Sequence, residues 1–142
     1  MFDFIKIREV PKTSWSSEET FNLKPRLKTL MALVVGLILF GLGEALLVAS
    51  QIGVSPWTAL GQGLANVSEL GLGLTTFLIS VFVLFLWIPL KQKPGIGTVL
   101  NAIIISLVLH FAIPFLPIFE ENFPRLIQAI LGVFITGIGG GI

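Results

Sequence analysis

One carboxylate in this chain, Glu44, stands well inside a long apolar run, the stretch "GLILFGLGEALL" at residues 36 to 47. The single histidine, His110, stands late in another such run. An acid held within a bilayer is a functional-site candidate by default, and an acid beside a histidine can bind a cation or relay a proton. Counted along ideal helices starting at Leu30 and Ile96, Glu44 and His110 are each 14 residues in, about 21 Å from one face. Ser80, about 12 Å in from the opposite face, falls near the same depth. These spacings predict a polar layer of Glu44, His110 and Ser80 turned toward the protein interior. The structural alternative is that Glu44 hydrogen-bonds to a neighbouring helix while His110 caps a helix end or reaches the interface. Asn101, about 7 Å in, reads as an interhelical hydrogen-bonding residue, with ligand binding as its alternative.

The elements that must hold these residues are membrane spans. Hydrophobic residues make up 54% of the chain and charged residues 12%, where soluble proteins carry about a quarter charged. The mean hydropathy is +0.96. Of the nine Lys and Arg and eight Asp and Glu, ten fall at or before Lys28. Four runs follow, at 30–50, 72–90, 96–117 and 126–142, since about 20 apolar residues cross a ~30 Å core. The fourth stops in mid-pattern at Ile142, which predicts a longer protein. Glu44 costs the first run about 2.5–3.5 kcal/mol by analogy with a central Asp, and its Leu, Val, Ile and Phe return about 4–7. Insertion wins. The fold class is therefore an all-α polytopic helical bundle.

Positive charge marks the cytoplasmic side. Residues 1–29 form a mixed, charged arm, with "FDFIKIREV" at 2–10 read as a solvated cytoplasmic arm or, alternatively, an interfacial or disordered tail; three basic residues precede Leu30 closely, and the "KQKPG" turn at 91–95 has two more. The loop from Gln51 to Gly71 has none, and "FEENFPR" at 119–125 carries two acids and Arg125. The N-terminus and the lysine turn are placed inside, the other two loops outside. Within the first outer loop, Ser55 suits a helix N-cap and Pro56 its first turn, which predicts a short interfacial or re-entrant helix over 56–67. Trp57 is an aromatic-belt anchor or part of a ligand site; Gly53, Ser55 and the free N–H groups there could receive an anion.

A shift of 96 residues superposes Gly36, Gly41 and Gly43 on Gly132, Gly137 and Gly139, with Gly140 opposite Glu44. Glycines so placed serve close helix packing. A repeat of three spans is odd in number, so its second copy would be inverted, and the complete protein would have six spans.

"GLGEALLVASQIGVSPWTALGQGL", then "PGIGTVLNAIIISLVLHF", then a returning "GVFITGIGGG" resembles the bacterial YczE/YyaS/YitT family of integral membrane proteins, from about Leu30 to Ile142. The Gly-x-Ser-Pro-Trp turn at 53–57 and the Gly-Thr-x-x-Asn pattern at 97–101 carry most of it. The family pattern has acids where this chain has Thr58 and His110. The resemblance implies a bacterial inner-membrane protein of two related halves.

With no cysteine, one histidine and no Ser/His/Asp set or nucleotide loop, neither catalysis, a cofactor nor a metal is expected. The net charge of +1 gives no reason to expect nucleic acid. Two functions remain open. One is transport of a small solute or ion, through Glu44, His110, Ser80, Ser55, Trp57 and Asn101; the other is a non-transporting scaffold or regulator acting through a membrane partner or a homodimer, within the lipid bilayer in either case.

Overall fold

The computed structural model describes residues 25–92 and 94–142. The arm up to residue 24, with its tail segment, and Lys93 of the lysine turn lie outside the described residues. Five α-helices make up the described residues: α1 Leu27–Ser50, α2 Pro56–Ser68, α3 Leu72–Trp87, α4 Ile96–Ala112 and α5 Asn122–Gly141. A 3-10 turn, Ile113–Phe115, prolongs α4. Its Pro114 lacks the N–H that an α-helix needs at that point, and the chain becomes extended at Leu116.

Three stretches are long and apolar enough to cross a membrane, Leu27–Ser50, Ile96–Phe115 and Asn122–Gly141. The expected straight span over 72–90 is instead part of a broken pair. Its helix ends at Trp87, and α2 joins α3 at a bend of 112°, so the two together count as one further span at most. At 16 residues, α3 alone reaches only about 24 Å. The break is local chemistry: Glu69 closes α2 in the left-handed region at φ 59°, and α3 restarts after Gly71. Across it, the buried Thr75 hydroxyl lies 3.1 Å from the Gly61 carbonyl of α2 and 2.9 Å from that of Leu72, so it holds the two helices together.

Helix α1 is central, with α5 on one side and α4 on the other; α3 packs on α4 and α2 on α3. Leu37 and Ala45 of α1 and Ile105 and Leu109 of α4 form the core. The α1–α5 contact is a glycine seam. A Cβ on Gly36 would lie 2.9 Å from the Gly139 carbonyl oxygen, and one on Gly43 would lie 2.7 Å from that of Gly132. Lower residue numbers on α1 meet higher ones on α5, so the helices are antiparallel. Gly41 turns the other way, toward Val108 and Ile105 of α4. Its repeat partner Gly137 faces open space, with nothing within 4 Å of a built Cβ, so the expected packing role has no neighbour there among the described residues.

Gly97 lies beside Leu33, which makes α1 and α4 parallel, whereas Gly73 near His110 and Ser106 sets α3 antiparallel to α4. The helix ends therefore alternate as four passes require. Arg26, Lys28 and Lys91 belong to one end; Glu69, Glu120 and Glu121 belong to the other. Large apolar side chains such as Phe82, Phe111 and Phe134 stay exposed on the outside, as suits a surface facing lipid.

Candidate functional site

Glu44 lies near the end of α1 and is 2% exposed. The chain leaves α1 through Gln51, whose left-handed φ of 56° turns it back, and returns as the start of α2. That return delivers two hydroxyls to the carboxylate. Ser55 Oγ donates to Glu44 Oε2 at 2.7 Å, and the Thr58 hydroxyl donates to the same oxygen. Ser55 Oγ also accepts from the Thr58 backbone N–H at 3.3 Å, which caps α2. The carboxylate thus sits at the positive end of α2, where an anion is favoured. Hydrogen bonds to charged groups contribute about 1.5–3 kcal/mol each. Two of them, about 3–6 kcal/mol together, offset the about 2.5–3.5 kcal/mol that a central acid costs on insertion.

At this helix start, where an external anion at Gly53 and Ser55 was the expectation, Ser55 and Thr58 turn to the chain's own Glu44. Gly53 is exposed and has nothing within 4 Å of a built Cβ.

Glu44, Ser55, Trp57, Thr76, Ser80 and Asn101 line a cavity of about 200 Å³ between α1, α2, α3 and α4. Trp57, Ser80 and Asn101 also line a second cavity of about 450 Å³, which runs past Leu33 and Val83 to Trp87 and Gly97 at the end carrying Lys91. Ser80 spends its hydrogen on the Thr76 carbonyl at 2.8 Å. The Thr76 hydroxyl, on a residue 2% exposed, has no hydrogen-bond partner among the described residues. Such a buried polar group is costly unless something reaches it.

Of the layer expected from depth, Glu44 and Ser80 share this cavity and His110 does not. His110 is exposed and lines a separate cavity with Gly73, Phe77 and Ser106, its ring edge-on to Phe111 at 5.0 Å. The reason is angular. Ile105 and Leu109 form the α4 face packed against α1, and His110, one residue on, is rotated about 100° from Leu109.

Three contributors escaped the sequence reading. Thr58 stands three residues after the N-cap, where a capping-box acid often sits, and that spacing was its signal. Thr76 had none, being one threonine in an apolar run. Arg125, read as a loop residue, lies in the first turns of α5 and binds the last carbonyls of α1. Among the described residues no group of three or more His, Cys, Asp or Glu could hold a metal ion.

The chain is similar to an uncharacterized protein of Haemophilus influenzae, 37% identical over 134 residues, which covers 94% of this chain and 61% of that protein. It is also similar to the uncharacterized membrane protein YczE of Bacillus subtilis, 28% identical over 109 residues, covering 75% of this chain and 51% of that one. The chain thus spans between half and two thirds of the length of these relatives. No solved structure matches it. Its helices carry a bacterial multi-pass membrane protein, and since the family profile matches residues 27–142, the chain belongs to the family of unknown function DUF6198.

Proposed function

We propose that this protein is a carrier for a small solute or ion, non-enzymatic, with its binding site at Glu44. One observation carries the reading: a buried acid, held at the start of a broken helix, lines a cavity, and a neighbouring cavity that shares Trp57, Ser80 and Asn101 with it extends toward the opposite end of the bundle. Half-helix ends meeting a polar group in mid-membrane are a recurring way to build a transporter site.

The same reading includes an inverted six-span architecture. Under the 96-residue shift, Gly36 corresponds to Gly132 and Gly43 to Gly139, while the contacts pair Gly36 with Gly139 and Gly43 with Gly132. That exchange is what a two-fold axis relating the helices requires, residue i meeting j′ and j meeting i′. Because α1 and α5 are antiparallel, the axis lies across them, in the membrane plane. The longer relatives leave room for the rest of a second half. In this reading the protein resides in the bacterial inner membrane with its N-terminus cytoplasmic.

Uptake into proteoliposomes by the full-length protein, abolished in Glu44→Gln, is the expected result. A solute screen by thermal unfolding supplies candidates for it. A second reading, a scaffold acting through a membrane partner or a homodimer, is favoured by the open α5 face at Gly137. Should no solute stabilise the protein while membrane pull-downs recover one stoichiometric partner, the scaffold reading replaces the carrier.

A further inference from the structure

We infer that the Glu44 cavity takes a primary ammonium group bearing a short apolar tail, an inference that rests on the carrier reading of the same site. Charge is the first argument. Among the described residues lining the two neighbouring cavities, Glu44 is the one formally charged side chain, with no Lys, Arg or His. In a water-poor site an acid without a basic partner selects for a cation.

Hydrogen accounting is the second. Ser55 and Thr58 direct their hydrogens to Glu44 Oε2, and Ser80 directs its hydrogen to the Thr76 carbonyl. Three of the hydroxyls lining the cavity are therefore left with lone pairs only. Both bonds to Glu44 fall on Oε2, which leaves Oε1 to an occupant. Thr76 lines the cavity too, with its own hydroxyl buried against Gly61 of α2. Asn101 adds an amide oxygen. A wall rich in acceptors suits a group that is only a donor, and an ammonium offers three N–H bonds.

Shape is the third argument. Trp57 lines both cavities, and an indole face attracts a desolvated organic cation. Beyond it the second cavity is lined by Leu33, Leu37, Val83 and Leu84, which suits a hydrocarbon tail. A quaternary ammonium has no N–H for Glu44 Oε1 or the hydroxyl lone pairs, and an inorganic cation leaves the apolar cavity empty.

The test is calorimetry and thermal unfolding of the full-length protein in lipid nanodiscs, with n-butylammonium chloride against sodium butyrate, 1-butanol, tetramethylammonium chloride and sodium chloride. Butylammonium is expected to bind and to raise the unfolding midpoint, and the others to do neither. Glu44→Gln, which keeps an oxygen for Ser55 and Thr58, should weaken binding about ten- to hundred-fold, the worth of one charge-assisted hydrogen bond. Trp57→Leu, which leaves Glu44 intact, should weaken it several-fold. Binding of butyrate or butanol as tight as that of butylammonium, or an equal effect of sodium chloride alone, overturns the ammonium assignment. Proteoliposome uptake separates the two claims: butylammonium that binds but does not cross sinks the carrier and keeps the site, whereas Glu44-dependent uptake of an anion does the reverse.

Discussion

Arg125 at the start of α5 donates from Nε to the Ser50 carbonyl at 2.8 Å and from a terminal nitrogen to the Gln51 carbonyl at 2.9 Å. One side chain thereby satisfies acceptors that the end of α1 leaves without helical partners, and it places positive charge at the negative end of that helix. It also continues the glycine seam, since Gly36–Gly139, Gly43–Gly132 and Ser50–Arg125 fall in one antiparallel register. Arg125→Ala should therefore lower stability by about 1–3 kcal/mol, the outer bond being partly discounted for its exposure. Arg125→Lys should recover less than half of that, because an ammonium cannot span both carbonyls as the planar fork does. Denaturant midpoints in detergent measure both.

Glycine substitutions separate the close contacts from the open position. A Cβ at Gly43 would lie 2.5 Å from the Thr136 backbone nitrogen, so Gly43→Ala should force α1 and α5 apart at about 1–3 kcal/mol. Gly41→Ala should cost less, since it meets the Val108 side chain rather than backbone. In the full-length protein, Gly137→Ala should cost about as much as Gly41→Ala if a later helix packs there in the inverted arrangement. A Gly137→Ala variant as stable as the parent or more so, by about 0.5–1 kcal/mol from helix propensity, removes that arrangement.

The two hydroxyls at Glu44 should prove unequal. Ser55→Ala removes both the cap of α2 and a donor to the carboxylate, and should destabilise by about 2–3 kcal/mol. Thr58→Val keeps the shape and removes one donor, for about 1–2 kcal/mol. Should Thr58→Val be the costlier, the cap is not what holds α2 to Glu44. Unfolding of the two single variants and the double variant apportions the coupling.

His110→Phe should leave solute binding unchanged within twofold, because His110 lines a cavity apart from Glu44. Loss of binding in that variant would mean the two residues meet in the working protein.

Because these 142 residues hold no cysteine, single-cysteine variants add one labelling site of known position to them. Lys91→Cys should react with a membrane-impermeant maleimide only in inverted vesicles, and Glu120→Cys in intact cells. Labelling of Glu120→Cys from the cytoplasmic side alone would reverse the charge-based orientation.

Hydropathy is a local property, so the membrane class and the helical build could be read from the order of amino acids. The Ser55–Pro56 helix start was equally legible, because an N-cap acts on the backbone three residues on. Depth was legible too, since helical rise is constant; Glu44 and Ser80 were matched by it and share a cavity. His110 was matched by the same arithmetic and lies elsewhere, because rise says nothing of the angle at which α4 meets α1. The glycine spacing marked a packing surface, and only the folded register showed Gly36 and Gly43 facing α5, Gly41 facing α4 and Gly137 facing none of the described residues. Thr58, Thr76 and Arg125 acquire their roles through contacts with residues far along the chain, and no local signal encodes the turn at Gln51 that brings α2 back onto Glu44. The order of residues places an acid in the membrane, and the packing of α1, α2 and α3 around it turns that acid into a lined cavity.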